Sequence, residues 1–228
     1  MLRLLAGLLS FTFCLTLTAA ETSRATDPAL QPVLERFLAR ADEPLKSYRA
    51  VRRIEGANER FDKHAVLEAI TELRPDGQFH FEIVSETGSD YIRDKVLRPL
   101  LETEAKVLAS GSASKSALTE ANYEIGGGVE VDENLVKLFA KPRRKDVSLI
   151  DGAVFITNDD ADLVRIEGRM AKNPSFWTTR VNLVRYYDRI GGVRVPVRLD
   201  SMAQIRFAGE STLTMVYDYE SVNGVPVD

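Results

Sequence analysis

The sequence predicts a mainly β fold of the α+β class, built on one large, curved antiparallel sheet. Three observations carry this. Period-two alternation runs through most of the C-terminal half, turn residues cut it into successive strands, and only two stretches keep helical spacing. The longest alternating stretch runs from Val193 to Phe207. It holds Val193, Val195, Val197, Leu199, Ala203, Ile205 and Phe207 at odd positions, with Arg194, Arg198, Asp200, Gln204 and Arg206 at even ones. Such a strand would extend about 50 Å at about 3.3 Å per residue. Ordinary strands are shorter, so a bulge or a bend near Pro196 is expected. After Ala208-Gly209-Glu210, Leu213, Met215, Tyr217 and Tyr219 repeat the pattern. A three-residue turn centred on Gly209 would pair odd with odd, giving both strands one apolar face, with Arg194, Arg198 and Arg206 opposite.

The elements follow in order. Met1 to Ala20 carries one charge, Arg3, then the apolar run Leu4 to Leu17 and the small residues Thr18-Ala19-Ala20. This is the pattern of a secretory signal peptide cut after Ala20, and the apolar run is short for a membrane span. An uncleaved anchor and lipidation at Cys14 are the alternatives, although Thr12-Phe13 precedes that cysteine where small residues are wanted. Leu30, Leu34, Phe37, Leu38 and Ala41 then predict an amphipathic helix over Pro28 to Ala41, ended by Glu43-Pro44. From Tyr48 the period is two: Tyr48, Ala50 and Ile54 share one strand face, and Arg49, Arg53 and Glu55 the other. Ala65 to Leu73 precedes the turn Pro75-Asp76-Gly77, and Phe79, Phe81 and Ile83 mark a half-buried strand. Ser89 to Ser110 has a second helical stripe, which Pro99 divides into two pieces meeting near Arg98-Pro99. The later strands are Leu135 to Ala140, Val147 to Ile150, Ala153 to Thr157, Leu163 to Met170 and Trp177 to Ile190. Asp151-Gly152 is expected to be a hairpin turn, and Asn158-Asp159-Asp160 another turn.

Thirty Lys and Arg against 34 Asp and Glu leave a net charge of −4, which argues against nucleic acid as the main partner. One Cys and two His exclude Cys/His metal centres and disulfide scaffolds. Asn158, Asp160 and Asp162 alternate like a calcium loop, but Leu163 and Arg169 stand where glycine and the closing glutamate belong. Gly111 to Ser116 and Gly126-Gly127-Gly128 lack the spacing of nucleotide loops. Neither His64 nor His80 has catalytic neighbours, and no nucleophile–base pairing is visible. No cofactor and no enzyme activity are expected. Lys141-Pro142-Arg143-Arg144-Lys145 is the one basic cluster, either a solvated strand end or a contact for anionic headgroups or an acidic partner.

Asp162-Leu163-Val164-Arg165-Ile166-Glu167-Gly168, the stretch Trp177 to Tyr187, Gly191-Gly192-Val193-Arg194-Val195-Pro196 and Met215 to Gly224 resemble the lipoprotein-sorting (LolA-like) superfamily, and its uncharacterised envelope members more than the sorting factors themselves. The resemblance covers about 100 residues of the C-terminal half. It implies a half-open β-barrel with helices over its concave apolar face, and acyl chains of lipoproteins or other lipids held between the two. It also implies that an arginine on an early strand, one of Arg49, Arg52 and Arg53, holds the helical lid.

The expected organisation is a leader over 1–20 and a single half-barrel domain over 21–228, with a lid at about 89–110, located in the periplasm with no transmembrane segment after cleavage. The residues expected to line an apolar ligand cavity are Leu97, Leu100, Leu101 and Leu108 on the lid, with Trp177, Leu183, Val195, Val197, Leu199, Ile205, Phe207, Leu213, Met215 and Tyr217 on the sheet. Two functional readings stand: a carrier or chaperone for an acyl chain, and a non-catalytic envelope interaction protein with a closed core and no ligand.

Overall fold

A computed structural model describes residues 28–227, so the expected leader lies outside the described residues. The first helix, α1 (Gln31–Ala39), is shorter than Pro28 to Ala41, with Pro32 in its first turn. The strands are β1 (Tyr48–Asn58), β2 (Lys63–Leu73), β3 (Phe79–Gly88), β4 (Tyr123–Asp132), β5 (Leu135–Pro142), β6 (Ile150–Thr157), β7 (Leu163–Met170), β8 (Thr178–Ile190), β9 (Val193–Ile205), β10 (Gly209–Val222) and the short β11 (Val225–Pro226). They form one antiparallel sheet in the order β3-β2-β1-β10-β9-β8-β7-β6-β5-β4, with β11 on β10. β3 and β4 are its free edges, so the barrel stays half open. No helix among the described residues is long and apolar enough to cross a membrane.

Residues directly opposite on paired strands share a face. One such row crosses eight strands: Leu67, Ile54, Met215, Leu199, Arg185, Ile166, Val154 and Leu138. The helices lie on this side. At one end of the row α1 packs Val33, Leu34 and Phe37 against Leu138, Val154 and Ile166. At the other, the region after β3 packs Ile92, Leu97 and Leu101 against Ile54, Leu67 and Met215. That second cover comprises α2 (Asp90–Ile92), a π-helical turn (Arg93–Leu97) and α3 (Arg98–Ala109). The Arg98 amide donates to the Arg93 carbonyl, five residues back. Pro99, which has no amide hydrogen to continue the ladder, follows at once, and the helical register changes here. The two pieces therefore meet where the sequence places them.

The structure departs from the sequence reading at four places. β9 ends at Ile205, and the turn to β10 is Arg206-Phe207-Ala208 rather than one centred on Gly209. Odd still pairs with odd, as Met215 with Leu199. Phe207, however, takes a positive φ of 65° in the turn and is 78% exposed, so it does not join the apolar face. Arg194 is not on the solvent side. A register shift between Tyr186 and Tyr187, opposite Pro196 to Arg198, interrupts the alternation, and Arg194 lies under α1 with Asp42 as ion partner.

Asp151-Gly152 is no turn: both residues lie inside β6, and Val147 to Leu149 form no strand. Gly152 faces Gly168 on β7, where a Cβ would meet the Glu167 carbonyl at 2.0 Å. The glycine serves close backbone approach, which in sequence reads like a turn signal. Finally, β4 is a strand the sequence reading does not anticipate, because Gly126-Gly127-Gly128 carries a register shift that erases the alternation.

Candidate functional site

The side of the sheet that carries α1 and the lid is the candidate site. β1 sets its polar anchor. Alternation places Tyr48, Ala50, Arg52 and Ile54 inward, and Arg49 and Arg53 outward, where they pair with Glu220, Glu55 and Glu68. Of the three candidate arginines, Arg52 is therefore the one beneath the helices, with its side chain only 2% exposed. Its Nη1 donates to Glu104 Oε2 at 2.5 Å and its Nη2 to Glu104 Oε1 at 2.9 Å, a two-pronged bond to α3. Nη2 also donates to the Tyr48 hydroxyl. The guanidinium lies 4.5 Å from the Tyr217 ring centre and 5.4 Å from that of Phe79, close enough for cation–π attraction. Burial alone would depress this guanidinium; the Glu104 hydrogen bonds, together with the charge of Glu104 and the neighbouring Tyr217 and Tyr48, outweigh it and hold Arg52 above the ordinary arginine range. Burial likewise pushes the Tyr48 and Tyr217 hydroxyls up, so both stay neutral.

Arg185, in the middle of the eight-strand row, is a second interior cation. Its Nε is buried without a hydrogen-bond partner. Burial opposes its charge, and the neighbouring Tyr187, Tyr217 and Glu104 favour it more strongly. Charge also fastens the chain that leaves α1. Arg189 donates to Asp162 Oδ2 at 2.7 Å and to Asp42 Oδ1 at 2.8 Å, and Arg194 pairs with Asp42. The hydrogen bond from Arg189 holds the Asp162 carboxyl below the usual aspartate range.

The structure brings together Leu97, Leu100, Leu101, Leu199, Leu213, Met215 and Tyr217 in one cluster between lid and sheet. Val195 is buried in a neighbouring cluster with Tyr48 and Tyr219, and Val197 packs against it. Leu183 packs into the α1 cluster. Leu108 and Ile205 are half-buried, while Trp177 and Phe207 are exposed and stand apart. Side chains of the lid fill the apolar face. A cleft of about 450 Å³ opens at its margin between α3 and β3, lined by Phe79, Phe81, Ala105 and Ala109 among others. A larger open groove of about 840 Å³ lies along the sheet between β5 and β10 and is lined by Phe139, Val184 and Met202 with charged neighbours.

Of the basic cluster, Arg144 donates to Asn122 Oδ1 at 2.6 Å and to the Lys115 carbonyl at 2.5 Å, and Arg143 Nε donates to the Glu120 carbonyl at 2.7 Å. Both tie down the segment before β4. All four cations also line an open groove of about 700 Å³ that includes Arg169, Lys172 and Arg180.

Sequence reasoning missed Glu104, Arg185 and the Asp42–Asp162 fastening. Arg52 itself was legible, since it shares parity with Tyr48, Ala50 and Ile54. Its partner was not, because nothing local says which acid of a helix comes to lie over which strand. No protein-family model matches the chain, and no curated protein matches it significantly. In structure the chain is similar to a LolA superfamily protein of Nitrosomonas europaea, at 11% identity and a TM-score of 0.37, over 82% of this chain and 90% of that one.

Proposed function

We propose that the protein is an exported, periplasmic carrier or chaperone that shelters an apolar ligand, such as lipoprotein acyl chains or another lipid, between the sheet and its helical lid. The division into a leader over 1–20 and one half-barrel domain over 21–228 belongs to this proposal. The observation that carries it is the construction of the lid. An apolar sheet face is covered by a helix broken at Arg93–Leu97 and held from beneath by the Arg52–Glu104 pair. Each Leu or Ile buried there gains about 1.5–3 kcal/mol. An acyl chain laid against Leu199, Leu213 and Met215 would replace lid side chains with little net loss of apolar burial. A cover in pieces can shift one piece at lower cost than a continuous helix. The sheet residues proposed as lining are those that share the lid cluster, together with Leu183, Val195 and Val197. No enzyme activity is part of this reading.

The test is to lock the lid. Phe81 and Ala105 line the same cleft on β3 and α3. Phe81→Cys and Ala105→Cys would be joined by a short thiol-reactive bis-maleimide linker, and uptake of a fluorescent fatty acid followed. Uptake by the unlocked protein that is lost on locking supports the carrier. Equal uptake in both, or none in either, favours the second reading, a closed-core envelope protein that acts through its surface.

A further inference from the structure

Five aromatic side chains are exposed among the described residues: Phe61, Tyr91, Phe176, Trp177 and Phe207. All five sit at the same end of the sheet. Phe61 lies between β1 and β2, Tyr91 just after β3, Phe176 and Trp177 just before β8, and Phe207 between β9 and β10. In an antiparallel sheet with this strand order, those connections are neighbours. Three of the rings touch: Phe176 and Trp177 have centroids 5.5 Å apart, and Trp177 and Phe207 6.2 Å. The Arg206 amide donates to the Trp177 carbonyl at 2.8 Å, and its guanidinium lies 4.4 Å from the Phe176 ring centre. The exposures of Phe176, Trp177 and Phe207 are 71%, 55% and 78%.

Folding does not account for this cluster. Phe207 holds a positive φ of 65°, a conformation that disfavours any side chain, and it gains no burial in return. The same loop joins the trio to the basic groove. Lys172 and Asn173 precede Phe176, Arg180 follows Trp177, and all three line the groove with Lys141, Arg143, Arg144, Lys145 and Arg169. The one acid lining that groove, Asp151, is paired with Arg169 at 2.9 Å. Arg144 also pairs with Asp146 at 3.7 Å, which leaves seven cations lining the groove against two paired acids. Large aromatic rings at loop tips beside such a cationic excess are complementary to a bilayer with anionic headgroups. The rings suit the depth of the headgroup–acyl boundary, and the cations suit the phosphates.

We infer that this end of the sheet docks onto an anionic membrane surface, with Phe176, Trp177 and Phe207 inserted and the Lys141–Lys145 groove on the headgroups. The inference goes beyond the carrier reading and stands independently of what the interior holds. It also names the surface at which a carrier would exchange its ligand.

Trp177 is the sole tryptophan of the chain, so its emission reports on the patch directly. The processed protein would be titrated with vesicles of equal parts phosphatidylglycerol and phosphatidylcholine, and with phosphatidylcholine alone. A blue shift and co-sedimentation with the anionic vesicles, weakening as salt rises, is the expected result. Phe207→Gly suits the positive φ of the turn and should leave the fold intact. Loss of one inserted ring, at about 1.5–3 kcal/mol, should weaken vesicle binding about tenfold or more. Lys141→Gln with Lys145→Gln should remove the preference for phosphatidylglycerol. The lid-locked protein should bind vesicles as the free one does, which separates docking from lipid uptake. Absence of binding to either vesicle, equal binding to both, or binding unchanged in Phe207→Gly would overturn the inference. In those cases a protein partner would be the better occupant of the patch.

Discussion

Arg52 shows how one residue can link fold and function. A buried guanidinium is costly unless paired and hydrogen-bonded, and here its main partner comes from α3, fifty-two positions along the chain. The pair therefore stabilises only the arrangement in which the lid is closed. Glu104→Gln keeps the side-chain shape but leaves Arg52 a buried cation facing a neutral amide. Because Glu104 is itself partly exposed, the expected loss is about 1–3 kcal/mol in urea unfolding. Substituting Arg52→Met together with Glu104→Met should recover most of that loss, since an apolar pair of similar volume often replaces a buried ion pair without penalty. A double variant no more stable than Glu104→Gln alone would show that the pair does more than compensate for its own burial.

At the scale of an element, α1 and the lid are fastened differently. The lid is held to the inner face of the sheet by ion pairs, Arg52 with Glu104 and Arg98 with Glu86 of β3, and by its leucines. The chain leaving α1 is held by Asp42 and Asp162 against Arg189, Arg194 and Arg40. The depressed Asp162 carboxyl makes this second fastening acid-sensitive. A carboxylate whose folded pKa lies below its unfolded value contributes stability that is complete above the ordinary aspartate pKa, about 3.9. The contribution disappears as pH falls through the depressed folded value. Asp162→Asn should therefore be less stable than the parent chain near neutral pH. The two unfolding curves should converge in acid, well below about pH 3.9. Curves that stay parallel across the acid range would remove Asp162 from the fastening. The element scale also explains the glycine misreading at Asp151-Gly152 and the unanticipated β4. In β6 glycine marks close strand approach, which in sequence resembles a turn, and in β4 it marks a register shift that hides the alternation.

The whole molecule is a sheet with two covers on one face and an exposed aromatic rim at one end, and both features bear on where it works. Export is the expectation that ties them together. An intact mass of the exported protein should match a chain beginning at Glu21, and a mass that retains Met1–Ala20 or carries an acyl group at Cys14 would refute the leader. What the sequence determined by itself is what depends on neighbours along the chain. Alternation set most of the strands and their inward faces, Pro99 set the break in the lid, and the early strand offered three arginines of which the parity shared with Ile54 is that of Arg52. Each of these is a local rule of period or of a missing amide. Tertiary structure decided what depends on residues far apart in sequence. The partner of Arg52, the fastening of Asp42 and Asp162, and the gathering of Phe61, Phe176, Trp177 and Phe207 at one rim all follow from strand order and from how helices fold back over the sheet. The turn at Phe207 belongs there too. Odd-to-odd pairing is satisfied by a turn centred on Gly209 or on Phe207, and register with β8 and β10 chooses between them. Period-two patterning defines faces but not which strands lie side by side, because every strand with one apolar face satisfies it equally.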